Sequence, residues 1–591
     1  MKSAKGTNIR ENPKEDYLMR KLLTFLIIST YCITISLTSS VYAEEPTFVS
    51  ITNASSDDQI LENGDGVALD INISQVRDSD TTVTLDFNDS IASPSLDFKL
   101  RYKTNYSDIS IALDNTADVI IPAGKAKITV FLYSILDCED ENNESIAIKI
   151  ATVSDNLEIS EDILSPILIE DNNYDANYYY VAMNGDDSND GTCLNPVKTL
   201  ETALYRFRNN DKTTLIIRDG TYNEINNKHV LKNGSEETPI IIRAEYPGNV
   251  FLVGNRSELE RDGSDDKGLV IQEASHVSIQ NIHFKNFGTG IEINNASNID
   301  IDNCTFENNG HSGLSIVNSS NIKVTNSAFI GLIPNENSVD SNGLLCNDLC
   351  AIQDYGVAIW GSDQVSVSDS YFYGRHHQAL SFKEGDTNGL AERNVFVGAL
   401  YTAIFLGQNY ENNAPRSTNL IARYNIVLDE DNFPVKSPIR VDNVENATVE
   451  YNYFEGFDYS NNLSAIFILK RVEGLINVNH NILSYGVNEG NVGAFEIDND
   501  NGCPNIDTTI NISQNTIYKV HHSLTTYNNE CAERANMSNN IVYKLLDDPD
   551  GLSNDNPGFI EDPIKLNLSF DTRPVDFDSL YEQLTQPFII D

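Results

Sequence analysis

A basic segment precedes a short strand-like segment near the middle of the chain. Residues 373–377 read YGRHH, and residues 378–386 read QALSFKEGD. Leu380 and Phe382 alternate with polar residues, which is typical of a strand that buries one face. Lys383 ends this strand on the opposite face, where a lysine with a lowered pKa can act as a general base. We therefore predict a catalytic group of Lys383, His376, His377, Arg375 and, on a later strand, Arg440.

The surroundings of Lys383 favour opposite protonation states. Arg375 or a protonated histidine would lower its pKa, whereas the carboxylate of Glu384 next to it would stabilise the charged form. His376 or His377 could be the base instead. The same residues could also be ordinary structural and solvated groups of a turn.

A repeated element must position these residues. An Asn-x-x-Phe-like unit begins at Asn281, Asn303, Asn326 and Asp369 and continues more loosely at Arg393, Asn425, Asn452, Asn481, Asn515 and Asn540. Each unit also carries short strands with period-2 alternation, such as GIEI and NIDIDN. Alternating strands repeated every 20 to 40 residues or so predict a right-handed parallel β-helix over residues 178–565, followed by a tail, 566–591.

One strand of each coil should form a groove of outward side chains. We aligned these strands on inward apolar pairs, which include Leu380/Phe382 and Ile466/Ile468, so that Phe467 and Leu469 face outward. Coils stack about 4.8 Å apart, which separates Lys383 from Arg440 by roughly 10 Å. Aromatic faces and charged groups suit a sugar-binding groove, although a solvent-facing sheet with incidental charges is the alternative. The predicted substrate-binding residues are Trp360, Phe405, Gln408, Asp442, Glu496 and Asp498.

The residues before the repeat have a different rhythm. Residues 45–173 contain short strands such as VALDINIS, TTVTLDF and KITVFLY, separated by turn-rich pieces such as ENGDG. This spacing predicts an immunoglobulin-like β-sandwich. The expected fold class is therefore all-β, with a sandwich followed by a β-helix.

Charge and the N-terminal segment limit the environment and the partners. The formal net charge of −47 excludes nucleic acid as a partner and requires a local cationic patch or a bound cation for any polyanion. Residues 1–43 read as a signal peptide, with Arg20-Lys21 before an apolar run and cleavage after Ala43, whether translation starts at Met1 or Met19. No later stretch is apolar enough for a membrane span, so we expect an exported protein, either extracellular or periplasmic.

Seven cysteines remain after that cleavage. Cys346 could pair with Cys350 and Cys503 with Cys531, because export favours disulfides. Cys138, Cys193 and Cys304 have no obvious partners in the sequence.

The repeat region resembles the pectate-lyase-like right-handed β-helix superfamily. It opens with YYVAMNGDDSNDGT and closes with DNPGFIEDP. Within it, GRHHQALSFKEG is similar to the family of chondroitinase B and the β-helical alginate lyases, in which a Ser-x-Lys strand end carries the catalytic lysine. The resemblance assigns that role to Lys383. The sequence departs from the family pattern at two points. Gly407-Gln408 stands where the family has an arginine at the end of the next coil, and His376 and Gln378 stand where it has two calcium-binding acids.

Residues 45–173 resemble a Calx-beta domain through the segments ENGDG, IPAGKAKITVFL, LDCEDENNESIAIKI and ILIEDNN. This resemblance implies a Ca²⁺ site at strand ends, although Leu136 replaces one acid. The implied ligands are Glu62, Asp137, Glu141, Glu144 and Asp171.

Together these features favour a polysaccharide lyase that cleaves a uronate-containing glycan by β-elimination. Two alternatives remain open. One is a non-catalytic surface protein that binds glycan in adhesion. The other is a glycoside hydrolase, since Glu496 and Asp498 would lie about 6.6 Å apart on one strand.

Overall fold

The computed structural model describes residues 47–55, 58–62, 66–103, 108–138, 142–154, 157–160, 164–170, 177–223, 228–230, 232–255, 266–331, 353–399, 401–407, 415–428, 435, 437–456, 464–485, 492–498, 507–518, 522–526 and 535–543. The predicted signal peptide, the C-terminal tail and the predicted pairs Cys346–Cys350 and Cys503–Cys531 lie outside these residues. Within these ranges, no helix has the length and hydropathy of a membrane span.

The N-terminal domain consists of mostly antiparallel sheets around one core. Its strands are β1 (Phe48–Asn53), β2 (Gln59–Leu61), β3 (Val67–Ile73), β4 (Thr81–Asp86), β5 (Phe98–Lys103), β6 (Asp108–Ile111), β7 (Thr116–Ile121), β8 (Lys127–Ser134), β9 (Glu144–Ile146), β10 (Lys149–Val153), β11 (Glu158–Ile159) and β12 (Ile167–Glu170). The main sheet has the order β11-β1-β3-β8-β5-β6, and two three-stranded sheets, β10-β4-β7 and β2-β12-β9, accompany it. The pairs β1–β11 and β2–β12 are parallel. Alternate residues of β3 are buried, which is the pattern of a strand with one face on a core.

From residue 178 the chain winds through three parallel sheets in every coil. Sheet 1 contains β13 (Tyr178–Val181), β14 (Thr214–Ile217), β17 (Ile240–Ala244), β20 (Ser275–Gln280), β23 (Ser297–Asp302), β26 (Ser320–Thr325), β29 (Asp363–Ser368), β32 (Leu390–Glu392), β35 (Ser417–Arg423), β38 (Val444–Glu450), β41 (Glu473–Asn479), β44 (Thr509–Ser513) and β47 (Ala535–Ser538). A short helix, α1 (Leu200–Phe207), follows β13 and buries Leu200, Ala203, Leu204 and Phe207.

The other two sheets complete each coil. Sheet 2 contains β15 (Gly220–Tyr222), β18 (Val250–Val253), β21 (His283–Lys285), β24 (Thr305–Glu307), β27 (Ala328–Ile330), β30 (Tyr371–Tyr373), β33 (Val395–Val397), β36 (Ile426–Leu428), β39 (Tyr453–Gly456), β42 (Ile482–Tyr485), β45 (Thr516–Tyr518) and β48 (Ile541–Tyr543). Sheet 3 contains β16 (Lys228–Val230), β19 (Lys267–Gln272), β22 (Thr289–Asn294), β25 (Ser312–Val317), β28 (Gln353–Trp360), β31 (His376–Phe382), β34 (Thr402–Leu406), β37 (Ser437–Asp442), β40 (Ser464–Lys470), β43 (Val492–Asp498) and β46 (His522–Thr526). The predicted β-helix is confirmed.

The repeated asparagines of the sequence occupy two different columns. Asn281, Asn303 and Asn326 have φ values of 64°, 50° and 51° at the corner between sheets 1 and 2. Asparagine tolerates this left-handed region better than most residues. In later coils Tyr424 and Tyr451 take the corner, and the asparagine comes one residue later. Our single alignment of these asparagines was therefore wrong by one residue in the second half.

The second column is a buried asparagine ladder, whose members are Asn394, Asn425, Asn452, Asn481, Asn515 and Asn540. In Asn452, the amide nitrogen donates to Asn481 Oδ1 at 2.9 Å, while Oδ1 accepts the backbone N–H of Asn425 at 2.8 Å. Because this pattern repeats from Asn394 to Asn540, each of these buried amides is satisfied and each of these coils is held in register with the next.

Aromatic stacking fills the core along the same axis. The rings of Phe284, Phe306, Phe329, Phe372 and Phe396 stack with centroid separations of 5.2, 4.9, 4.8 and 4.5 Å. These separations follow the spacing of adjacent strands, so the stack and the sheets reinforce one register.

A disulfide joins the two domains. Cys138 of the N-terminal domain bonds to Cys193 of the first coil, and Cys304 is buried outside any disulfide, with its Sγ 3.4 Å from Asp302 O. The Leu136 backbone N–H also donates to Tyr246 Oη at 2.8 Å, and Arg101 donates to Asn249 at 3.2 Å. Sequence alone assigned no partner to Cys138 or Cys193, because the two cysteines belong to different folding units.

Candidate functional site

Lys383 lies on the outer face of sheet 3, as predicted. Leu380 and Phe382 are fully buried in the core. The Lys383 backbone N–H donates to Ile359 O at 2.9 Å, which sets Lys383 beside Trp360 of the preceding coil. Alternation along β31 therefore predicted the orientation of this residue correctly.

The side chain of Lys383 is nevertheless enclosed, with the residue only 1% exposed. Its Nζ lies 3.8 Å from the centroid of the Tyr355 ring and 4.8 Å from that of Trp360. Burial lowers the pKa of Lys383 to about 7, because desolvation penalises the ammonium form more than the nearby carboxylates of Asp354, Glu384 and Asp386 stabilise it. A neutral amine is thus accessible near neutral pH.

Tyr355 was missed by the sequence analysis because a corner breaks the alternation of β28. Tyr355 and Trp360 are five residues apart, and a regular strand would place them on opposite faces. Gly356 lies at the corner, where a Cβ would approach the Phe372 ring to 2.8 Å and the Ala379 carbonyl oxygen to 2.6 Å. Gly356 and Val357 therefore both face inward, and the two aromatic rings contact each other at 6.2 Å.

The turn after Lys383 is fixed by a buried carboxylate. Asp386 Oδ2 accepts the Lys383 backbone N–H at 2.5 Å, and Oδ1 accepts that of Ser362 at 2.8 Å. Ser417 Oγ donates to Lys383 O and accepts from the Asp386 backbone N–H. Burial raises the pKa of Asp386 to about 8, against the effect of these two N–H donors. The backbone of Lys383 is thus held from two sides.

The three basic residues at the start of β31, of which Arg375 precedes the strand and His376 and His377 begin it, do not share one location. His376 is fully buried, with Nε2 3.3 Å from Phe329 O, and burial lowers its pKa to about 4. Arg375 is buried as well. His377 is half-buried and contacts the rings of Tyr355 and Tyr401 at 6.5 and 4.8 Å. This geometry favours His377 over His376 as a group that meets a substrate, because His376 points into the solenoid.

Arg440 and Asp442 lie two coils beyond Lys383. Arg440 covers the Phe405 ring at 5.1 Å and donates to Asp442 at 2.7 Å. Asp442 is only 1% exposed and also binds Arg471. Asp442 therefore holds two arginine side chains. From the sequence we predicted that Asp442 binds substrate and did not foresee these ion pairs.

In the next strand, β40, the observed register differs by one residue from our sequence alignment. Phe467 pairs with Ile439 and Leu469 with Val441, so Phe467 and Leu469 face the core rather than the groove. Ile468 and Lys470 take the outward positions. The segment AIFIL is apolar at every residue, so alternation could not fix its register, and core filling by the larger side chains did.

The remaining groove predictions lie further along. Glu496 is buried on β43, with Oε1 3.9 Å from Lys470 Nζ. Asp498 pairs with Lys470 in the register of the sheet. The side chain of Asp498 and the whole of Gln408 lie outside the described residues, so both stay predictions.

The predicted calcium ligands fall partly within the described residues. Glu62, Asp137 and Glu144 line a small cleft together with Asp97, and Glu62 Oε1 accepts the Asp137 backbone N–H at 3.2 Å. Oxygen ligands of this kind suit Ca²⁺. Glu141 and Asp171 are outside the described residues, and among those that are described no three His, Cys, Asp or Glu residues gather as a metal site. Calcium binding therefore stays a prediction.

Comparison with known proteins concerns the β-helix. Residues 179–342 match the family model described as Pel9A-like, right handed beta helix region. Pectate lyase PEL9 of Emericella nidulans is 25% identical over 179 residues, which are 29% of this chain and 43% of that protein. The chain thus spans less than half the length of this relative.

Two solved structures are also similar. The structure of pectate lyase Pel9A is 16% identical, covers 62% of this chain and 79% of its own, and has a TM-score of 0.35. An alginate lyase from Paenibacillus sp. is 13% identical, covers 58% and 96%, and has a TM-score of 0.34. These comparisons leave the Calx-beta-like assignment as a prediction. The match of residues 179–342 to this family model confirms the resemblance of the repeat region to the pectate-lyase-like superfamily.

Proposed function

We propose that the protein is a secreted polysaccharide lyase that cleaves a uronate-containing glycan in the groove of sheet 3. The observation that carries this proposal is Lys383, a groove lysine enclosed by aromatic rings whose pKa burial lowers to about 7. An amine that is neutral near neutral pH can remove a carbon-bound proton, which an ordinary lysine ammonium cannot.

In the proposed reaction, Lys383 Nζ takes the proton from C5 of a uronate residue. The electron pair of the C5–H bond forms the C4–C5 double bond, and the C4–O bond breaks with its electrons passing to the leaving oxygen. That oxygen needs a proton, and His377 is placed to supply one because its ring contacts the same Tyr355 that lies under Lys383. His376 supports the fold rather than the chemistry, because its ring contacts Phe372 of the core stack and its Nε2 lies 3.3 Å from Phe329 O.

The substrate class follows from two sources. The similarity to a pectate lyase over residues in the β-helix supports a polyuronate as the first substrate to test. β-Elimination also requires a carboxylate next to the carbon that loses its proton, because the carboxylate makes that proton acidic once it is neutralised. A neutral glycan lacks this group.

The test is a panel of polygalacturonate, alginate, chondroitin sulfate and neutral glycans, read by ultraviolet absorbance of the unsaturated product and by new reducing ends. We expect unsaturated products from a polyuronate and a loss of roughly 10²- to 10⁴-fold in rate for Lys383→Ala, which is the contribution of general base catalysis. The matched control is Lys323→Ala, an exposed lysine on β26 of sheet 1. Reducing ends without a double bond would refute the lyase and indicate hydrolysis, for which Glu496 and Asp498 are the candidates. Full activity of Lys383→Ala would refute the assignment of the base.

A further inference from the structure

Basic side chains gather at the edge of sheet 3, beyond Lys383. Asp442 at the end of β37 lies between two guanidinium groups. Its Oδ2 accepts from Arg440 Nη2 at 2.7 Å, and its Oδ1 accepts from Arg471 Nε at 2.6 Å, with Arg471 Nη2 also 2.6 Å away. One buried carboxylate therefore holds two positive groups next to each other.

A third guanidinium joins this pair. Arg416 donates to Arg471 O at 2.7 Å and to Glu473 at 2.9 Å. We call Arg416, Arg440 and Arg471 the arginine cluster. Their side chains are 28%, 30% and 25% exposed, so all three are fixed from below and still open to a ligand.

The arginine cluster concentrates positive groups in an acidic chain. Among the described ion pairs, its three guanidinium groups face two carboxylates, those of Asp442 and Glu473. Two further acidic residues lie on neighbouring strands, because Glu445 pairs with Glu473 and Asp498 with Lys470 in the register of the sheets. In a chain with a net charge of −47, three arginines held together by ion pairs are the feature that an anionic ligand could use.

The chemistry of the cluster suits an oxyanion. Arginine presents a planar fork of N–H donors that matches a carboxylate, and it is more weakly hydrated than lysine. Among the described residues, the hydrogen bond of the Arg440 guanidinium is the one from Nη2 to Asp442, which leaves N–H groups for a ligand. Because protein contacts already fix these side chains, an arriving anion would meet donors that need little further ordering.

The position of the cluster separates it from the reacting sugar. Ser381 pairs with Phe405 and Phe405 with Arg440, so Arg440 is two coils from the Lys383 strand, or about 10 Å along the axis. Lys383 Nζ leans the other way, over Tyr355 and Trp360 of the preceding coil. The cluster therefore cannot neutralise the carboxylate beside the proton that Lys383 removes.

We propose that the arginine cluster is a distal subsite that binds the carboxylate of another uronate residue in the same glycan chain. The subsite rests on the proposed function for the identity of the glycan, and it makes an extended polyuronate, rather than a short or neutral glycan, the substrate. Arg440 acts in this site by binding, not in the chemical step.

Binding of a defined oligomer tests the subsite apart from turnover. In the full chain carrying Lys383→Ala, which prevents cleavage, we would titrate hexagalacturonate calorimetrically against the Arg416→Gln variant and the Asp442→Asn/Arg471→Gln double variant. The double variant removes one charge of each sign, so that no buried carboxylate is left unpaired. The control is Arg393→Gln, an arginine that binds Asp369 at the corner of sheets 1 and 2.

We expect both cluster variants to bind hexagalacturonate roughly tenfold or more weakly than the Lys383→Ala parent, since a hydrogen bond to a charged group is lost. Arg393→Gln should bind as the parent does, and fully methyl-esterified hexagalacturonate should bind all variants equally weakly. Equal affinity of parent and Arg416→Gln for hexagalacturonate would overturn the subsite, as would an equal loss for the methyl ester. A larger arginine-dependent loss with a chondroitin sulfate hexasaccharide would overturn the carboxylate assignment in favour of a sulfate.

The outcome is separable from that of the proposed function. If the wild-type chain yields no unsaturated product but hexagalacturonate binding depends on the arginine cluster, the lyase proposal fails and the subsite stands. If the wild-type chain cleaves polygalacturonate with a double bond and the cluster variants bind normally, the subsite fails and the lyase stands.

Discussion

Replacement of Tyr355 should change the pH at which Lys383 becomes a base. The Tyr355 ring lies 3.8 Å from Lys383 Nζ, and a ring face attracts the ammonium form but not the neutral amine. Removing the ring in Tyr355→Leu therefore lowers the pKa of Lys383, provided that the leucine keeps water out. Tyr355→Phe keeps the ring and removes the hydroxyl, so it is the matched control.

The size of the shift follows from the contact. A cation–π interaction contributes about 0.5 to 2 kcal/mol, depending on how far the site is desolvated. At 1.36 kcal/mol for each pKa unit, the loss of the ring lowers the pKa by roughly 0.4 to 1.5 units. The starting value is about 7, at which burial already outweighs the carboxylates of Asp354, Glu384 and Asp386.

The assay is the pH dependence of kcat/KM on polygalacturonate. The proposed mechanism requires neutral Lys383, so activity should rise with pH through the pKa of Lys383. The acidic limb of the profile should then move to lower pH in Tyr355→Leu and stay near the parent in Tyr355→Phe. The other titratable groups around the two rings are His377, which contacts Tyr355, and His311, which stacks on Trp360 at 6.2 Å. His377→Gln and His311→Gln therefore serve as backgrounds in which the same shift should persist. A limb that stays in place or moves upward in Tyr355→Leu alone would show that the ring does not stabilise the ammonium.

Three further predictions concern stability. Asn452→Ala should lower the free energy of unfolding by about 1 to 3 kcal/mol, because its neighbours in the ladder lose buried partners, whereas the exposed Asn536→Ala should change it by less than about 0.5 kcal/mol; urea denaturation measures both. Cys138→Ser/Cys193→Ser should cost roughly 2 to 5 kcal/mol by the same measurement, and finding both thiols free in the denatured, non-reduced wild type would contradict the disulfide. If Glu62, Asp137 and Glu144 hold Ca²⁺, added calcium should raise the melting temperature of the full chain but not that of Glu62→Gln/Asp137→Asn; an unchanged wild-type melting temperature would count against metal binding.

The fold was predictable from sequence because the β-helix repeats its own constraints. Alternation of apolar and polar residues recurs in every coil, so an error in one coil does not change the architecture. The orientation of Lys383 was predictable for the same reason, since Leu380 and Phe382 are the large apolar residues of their strand and the polar Ser381 separates them. In β40, where five consecutive residues are apolar, the same reasoning failed by one position.

The candidate site was less accessible to sequence reasoning because it depends on departures from the repeat. Tyr355 reaches Lys383 through the corner at Gly356, which no alternation pattern predicts. Arg416 and Arg471 lie in turns beside sheet 3, where side-chain direction has no fixed period. Their roles become visible only when Asp442 and the two neighbouring coils are placed in space.

The same side-chain hydrogen bonds also form between neighbouring coils that differ in the number of residues they contain. Ser327 Oγ accepts the backbone N–H of Cys304, which is 23 residues earlier in the chain. Ser370 Oγ accepts the backbone N–H of Ser327, which is 43 residues earlier, yet the three residues occupy equivalent positions in successive coils. Residues inserted between rungs therefore leave Lys383, Tyr355 and Arg440 where they are. The hydrogen-bonded positions of the ladder set the spacing of the residues on sheet 3, whereas the length of the loops between them can vary. Exchanging inserted loops should therefore leave the relative positions of Lys383, Tyr355 and Arg440 unchanged.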